Sequence, residues 1–184
     1  MKSVLISILP KWVEKIANGE KTIEVRKTAP KEVPFKCYIY MTQGTLKDLC
    51  DYSEYIYQNR MKVIGEFICN RIDVFIPCSD GILFKRFRAL YETRLTVDEM
   101  RKYAKGKTLY GWNISDLKIY DKPKELSEFK KTKEKIAMTC GMYARNGLCR
   151  AIDHEELCDN IKCCFKTPRP SQSWCYVEKL KNEP

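Results

Sequence analysis

A lysine, a glutamate and an arginine fall within six residues of one another in the octapeptide Gly19-Glu20-Lys21-Thr22-Ile23-Glu24-Val25-Arg26. Glycine closes the preceding element. Ile23 and Val25 then alternate with Thr22, Glu24 and Arg26, as a strand with one apolar and one polar face requires. Lys21 stands at the turn. Two chemistries fit this set. One is a solvated surface ion pair, worth about 0–1 kcal/mol. The other is the polar floor of a cleft, where Arg26 forks onto a phosphate or a base edge and Lys21 adds a second cation. Glu24 would then orient Arg26 or accept a hydrogen bond from an exocyclic amine. A catalytic version needs Lys21 with a lowered pKa, or Glu24 or Glu66 with a raised one, to act as general base.

A second concentration of reactive side chains lies far along the chain. Cys140, Cys149, Cys158, Cys163 and Cys164 crowd around His154, the one histidine of the protein. Four thiolates, or three with an imidazole, suit tetrahedral zinc, with Cys149, His154, Cys158 and Cys163 as the ligand set and the metal in a structural role. No C-x2-C knuckle is present, and reduced cysteines in a small helical insertion fit the same pattern. A catalytic Cys–His pair is a third reading.

Aromatic residues supply candidate stacking platforms. Tyr38 and Tyr40 share the polar face of their strand with Lys36, which makes them the exposed candidates. Trp12 belongs to an apolar helix stripe and reads as core before platform; Trp112 and Trp174 read similarly. Phe84-Lys85-Arg86-Phe87-Arg88 interleaves basic and aromatic residues, either to meet a phosphate backbone or as a helix with its rings buried.

The elements that must position these groups follow from periodicity. Val4–Leu9 is a buried strand. Pro10 opens a helix whose stripe is Trp12, Val13, Ile16 and Ala17, and Asn18-Gly19 stops it. Lys21–Lys27 and Phe35–Thr42 are strands, the second alternating Cys37, Ile39 and Met41 against Lys36, Tyr38 and Tyr40. Residues 43–60 are a polar, tyrosine-rich connection. Lys62–Ile76 is β-rich with a bulge or bend at Gly65. Gly81–Arg94 reads as helix, and Thr96 and Glu99 form a capping box opening a helix over Met100–Ala104. Thr108–Tyr120 is strand-like, and Ser173–Val177 closes the pattern. About six strands with two or three helices predict an α+β domain built as a small mixed barrel. The chain reads as one domain over residues 1–184, with residues 140–166 a Cys-rich insertion before the last strand.

At 184 residues, 44% apolar and 11% aromatic, the chain can bury a real core. Thirty-four Lys and Arg against 24 Asp and Glu give a net charge of +10, which points to polyanionic partners. The excess is scattered, as in a basic groove. No run approaches a transmembrane length. The opening apolar run is short and meets Pro10 at once, unlike a signal peptide. The expected location is cytoplasmic, with the cysteines reduced or metal-bound.

The pattern Gly19-x-Lys21-x-x-Glu24-x-Arg26 resembles the signature of the ASCH family, a branch of the PUA-like superfamily. Four further segments resemble its phage and bacterial members: Ile8-Leu9-Pro10-Lys11-Trp12, Val63-Ile64-Gly65-Glu66-Phe67, Tyr110-Gly111-Trp112-Asn113-Ile114-Ser115 and Ser173-Trp174-Cys175-Tyr176-Val177-Glu178. The resemblance spans most of residues 1–126 and 167–180. It implies a PUA-like β-barrel whose motif-lined cleft binds RNA or a modified nucleotide; together with the residue reading above, the expected ligand-binding set is Lys21, Glu24, Arg26, Lys11, Tyr38 and Tyr40. A small bacterial relative hydrolyses acetylated cytidine with a lysine, a threonine nucleophile and a glutamate. The lysine maps onto Lys21, but the threonine falls on Glu24, with Thr22 two residues early and Glu66 the best match for the glutamate. A carboxylate does not replace an alcohol nucleophile. Binding is therefore the first expectation, and a hydrolase acting on an acylated cytidine nucleoside or on RNA the alternative.

Overall fold

The computed structural model describes residues 1–44, 53–130 and 171–180. The Cys-rich segment 140–166, with the candidate ligands Cys149, His154, Cys158 and Cys163, lies outside the described residues. Among those described, no group of three or more His, Cys, Asp or Glu side chains could hold a metal ion. No described helix is long and apolar enough to cross a membrane.

The first strand, β1 (Lys2–Ile8), is buried from Ser3 onward, which explains its continuous apolar run. It lies parallel to β3 (Phe35–Met41) and antiparallel to β9 (Trp174–Val177). Antiparallel β4 (Val63–Cys69) and β8 (Ser115–Lys124) complete a five-stranded sheet in the order β8-β4-β3-β1-β9. A second sheet contains β2 (Ile23–Arg26), β7 (Leu109–Asn113), β5 (Ile72–Cys78) and β6 (Gly81–Phe84), in that order. Among the described residues four short helices join them: α1 (Pro10–Ala17), α2 (Glu54–Gln58), α3 (Phe87–Glu92) and α4 (Val97–Ala104).

The mixed α+β class is as expected, but the barrel is not closed. The described strands form two separate sheets. On one side two strand pairs, β4–β5 and β7–β8, turn the corner together. Asn113 N donates to Arg71 O at 3.1 Å, and Ser115 Oγ to Ile68 O at 2.8 Å. On the other side side chains do the bridging. Arg26 Nη2 donates to Ser7 O at 2.6 Å and Trp174 Nε1 to Thr28 Oγ1 at 2.9 Å. The strands on this side, β2 and β1, are joined through α1 rather than by a hairpin, so no strand ladder seals the seam.

Gly65 sits at a register shift between β4 and β8, as the expected bulge requires. A Cβ there would lie 2.5 Å from the Lys118 carbonyl oxygen, so only glycine fits. The helix expected over Gly81–Arg94 begins late. Gly81–Phe84 is instead strand β6, because Ile82, Leu83 and Phe84 pair with Pro77, Ile76 and Phe75. The capping box forms as read: Thr96 Oγ1 accepts from Glu99 N at 3.1 Å, and Glu99 Oε2 accepts from Thr96 N at 2.8 Å.

Both faces of the five-stranded sheet are covered. Val4, Ile6 and Ile8 pack with Val13, Ile16, Phe35, Phe67 and Trp112 on one side. Leu5 packs on the other with Tyr38, Tyr40, Tyr120 and Phe129. Tyr38 and Tyr40 are therefore not exposed platforms; they are 0% and 2% accessible. The two faces of β3 alternate as its sequence requires, but its polar face is covered too. Tyr38 meets the Phe129 ring edge-on at 5.0 Å.

Candidate functional site

Strand β2 forms the edge of the four-stranded sheet beside the unsealed seam. Its two faces divide as the octapeptide predicts. Ile23 and Val25 enter a core with Phe75, Met100 and Leu109. Glu24 and Arg26 turn the other way, toward β1 and α1. All four residues are buried, and so is Lys21.

Burial decides between the two readings of the charged set. The side chains of Lys21, Glu24 and Arg26 are 2%, 7% and 10% exposed, so this is no surface ion pair. Removing such groups from water costs several kcal/mol per ion unless partners compensate. Glu24 serves both cations, with Oε1 at 3.0 Å from Arg26 Nη2 and Oε2 at 3.5 Å from Lys21 Nζ. Lys21 Nζ also donates to the Thr93 carbonyl at 2.6 Å, and Arg26 Nη2 to that of Ser7 at 2.6 Å. Two cations on one carboxylate leave a buried excess of positive charge. Burial lowers the Lys21 pKa, the neighbouring Arg26 pushes it the same way, and Glu24 opposes both.

The turn that presents Lys21 is clamped from the α3–α4 side. Thr22 N donates to Glu92 O at 3.1 Å, and Arg94 Nε to Glu20 O at 2.8 Å. Lys21 N itself donates to Lys15 O at 2.9 Å, tying the turn back to α1. The turn is thus held by the neighbouring α1 and by the distant α3–α4 segment, whose Thr93 carbonyl also takes the ammonium group.

A cleft of about 560 Å³ opens above this floor. Lys21, Glu24 and Arg26 all line it, with Ser7, Leu9, Trp12, Thr42, Leu95, Tyr103 and Ser171 among its walls. Hydrogen-bonding capacity is left unused around it. Four buried side-chain polar atoms among the described residues lack a hydrogen-bond partner: Arg26 Nε, Thr42 Oγ1, Ser171 Oγ and Trp112 Nε1. The first three belong to residues lining this cleft. An unmade buried hydrogen bond costs about 1–3 kcal/mol, so three gathered in one cleft mark where a polar ligand would recover that cost.

The other expected site residues divide sharply. Trp12 is half-buried; it packs against the core, lines the cleft and lies 5.1 Å from Lys21 Nζ at its ring centroid. Lys11 is exposed beside it, with Nζ 4.8 Å from the same ring. Glu66 is elsewhere. It takes Lys36 Nζ at 3.1 Å and the Tyr120 hydroxyl at 2.7 Å, opposite Tyr38 in the sheet register. Trp112 is fully buried against Phe35 and Trp174. Thr42, Leu95, Tyr103 and Ser171 were not anticipated, because each reaches the cleft from a different segment. Only Tyr103 left a local signal: it shares a helical face with Glu99, offset from buried Met100 and Ala104.

No protein-family model and no curated protein matches the sequence. Solved structures do match. ASCH from Zymomonas mobilis superposes with a TM-score of 0.55 at 17% identity, covering 97% of this chain and 89% of that one. Two single-substitution variants of ASCH from the same organism give TM-scores of 0.53 and 0.52, each at 16% identity. They cover 98% and 97% of this chain, and 93% and 90% of their own. The chain has the ASCH fold.

Proposed function

We propose that this chain is a PUA-like module that binds RNA or a modified nucleotide in the cleft floored by Lys21, Glu24 and Arg26. The observation that carries this reading is the set of unpartnered buried atoms, Arg26 Nε, Thr42 Oγ1 and Ser171 Oγ, around a cationic floor. A ligand with both anionic and hydrogen-bonding groups would use all of them. The net charge of +10 favours a polyanion and speeds its encounter. Binding of a short single-stranded RNA, followed by fluorescence anisotropy across a salt series, should weaken steadily with salt. Arg26→Gln should weaken it about tenfold or more, through loss of a charged bidentate donor. Wild-type affinity in a folded Arg26→Gln protein rejects the reading.

A second reading is favoured by one observation, the deep burial of Lys21 at 3.5 Å from Glu24, burial that lowers the pKa of its amine. A neutral Lys21 amine could serve as general base in hydrolysis of an acylated cytidine nucleoside or of RNA. Glu66 takes no part, being paired on the far face of the sheet. Incubation with acetylated cytidine and with short RNA, read by mass spectrometry, tests it. No product beyond that of a Lys21→Ala control rejects it. The zinc assignment to Cys149, His154, Cys158 and Cys163 stands on spacing alone, and we propose it on that basis. Metal analysis should find about one zinc per chain.

A further inference from the structure

Two helices stand over the charged floor, and each brings an aromatic ring to it. Trp12 comes from α1 and Tyr103 from α4, and both line the cleft. Tyr103 is 37% exposed, while Met100 and Ala104 of the same helix are fully buried. Glu99 shares the Tyr103 face at i and i+4. Its charge acts on both Lys11 and Lys21, which places that face of α4 toward α1 and the floor. A lysine accompanies each ring. Lys11 Nζ lies 4.8 Å from the Trp12 centroid, and Lys27 Nζ lies 4.9 Å from that of Tyr103. The volume, about 560 Å³, is that of a small-ligand pocket.

Resting on the binding reading above, we infer that α4 is the second wall of the cleft and Tyr103 a ligand-stacking residue: an unstacked nucleobase lies against Trp12 and Tyr103, and the flanking phosphates of its strand meet Lys11 and Lys27. The base edge then reaches Glu24, which accepts from an exocyclic amine, and Arg26 Nε, which donates to a ring nitrogen or carbonyl. The two lysines leave their cation–π positions for phosphate oxygens, which bind a cation more strongly than a ring does. This favours single-stranded nucleic acid as the ligand. In a duplex the base must first be flipped out of its stack, at a cost of roughly a few kcal/mol, and inorganic phosphate or a base-free polyanion has nothing to stack.

The experiment compares Tyr103→Leu, Tyr103→Phe and Lys27→Gln with the wild type, using short single-stranded RNA and heparin as probes. Tyr103 is exposed, so thermal unfolding should match the wild type in all three variants. Tyr103→Leu should bind the RNA about tenfold more weakly with an unchanged salt slope, because stacking carries no charge. Tyr103→Phe should bind normally. Lys27→Gln should lower the salt slope by about 0.7, the share of one phosphate contact on a single strand. Heparin binding should be the same for Tyr103→Leu and wild type. The inference is overturned if Tyr103→Leu binds RNA like the wild type, if Tyr103→Phe loses as much as Tyr103→Leu, or if heparin weakens equally. Binding that needs Arg26 but not Tyr103 overturns it alone. No RNA binding by the wild type overturns it together with the reading on which it rests.

Discussion

Two clusters of charge and aromatic rings sit on opposite sides of this fold. On the seam side, Lys21, Glu24 and Arg26 lie beneath Trp12 and Tyr103. On the far side of the five-stranded sheet, Lys36 and Glu66 lie among Tyr38, Tyr120 and Phe129. In residue type they look alike: each joins lysine and glutamate side chains to aromatic rings. In space the far cluster is closed, with Phe129 fully buried over Tyr38 and the Tyr120 hydroxyl at 2.7 Å from Glu66. The seam cluster is more deeply buried at its charges, yet opens into a cleft with donor and hydroxyl groups unspent. Burial of charge alone does not mark a site. Burial with unused hydrogen-bonding capacity, beside open space, is what the binding proposal rests on.

The largest expected effect separates the two carboxylates. Glu24→Ala leaves Lys21 and Arg26 buried with no anion between them, at a cost of about 3–5 kcal/mol. Glu66→Ala, on the more accessible pair, should cost about 1–2 kcal/mol, the worth of its hydrogen bonds. Urea unfolding of both variants measures the difference. Equal losses would mean that the seam cluster is held no differently from the far one.

A moderate effect should appear with pH. Lys21 carries its charge only below its pKa, which burial and Arg26 hold under the ordinary 10.5. Anion binding should therefore weaken as pH rises through that lowered value, earlier than for an ordinary lysine. Lys21→Arg should carry binding flat through the same range, whereas Lys36→Arg should leave the wild-type profile unchanged. For stability the sign is opposite. The folded state holds this proton less tightly than the unfolded chain, so the burial cost is full below the folded pKa. It falls as pH rises from there to 10.5. A binding profile without an alkaline limb below 10.5 would remove Lys21 from the ligand's electrostatics.

These two clusters also show what was legible beforehand. Local rules recovered β1, α1, the β2 alternation and the Thr96–Glu99 box, because each depends on neighbours in sequence. Alternation separated the faces of β3 but could not say which one meets water, since that depends on Phe129 arriving from the chain beyond β8. The helix expected near Gly81 lost to pairing of Phe84 with Phe75. The floor of the cleft was legible because Lys21, Glu24 and Arg26 fall within one turn and the strand that follows it. Its walls were not. Thr42, Leu95, Tyr103 and Ser171 are brought together only by the packing of the two sheets and α4.

The smallest effect concerns how each side is closed. On the far side, a short turn at Leu126–Glu128 delivers Phe129 into the core. On the seam side, α4 delivers Tyr103 to the edge of an open cleft, and its first turn depends on the Thr96–Glu99 box. Thr96→Ala removes the hydroxyl that accepts from Glu99 N, at a cost of about 1 kcal/mol. The backbone amide of Thr96 is the first cause of a lowered Glu99 pKa, so this contribution is complete above the ordinary carboxylate range. It is lost as pH falls through the lowered value. Acid unfolding should therefore show a shallower slope in Glu99→Gln than in the wild type. If the α4 wall shapes the cleft, Thr96→Ala should also weaken RNA binding by about the same factor as it loosens the helix start, while amide hydrogen exchange around Tyr38 in β3 stays as it was. A loss of RNA affinity much larger than that would mean the helix start, and not Tyr103 alone, holds the ligand.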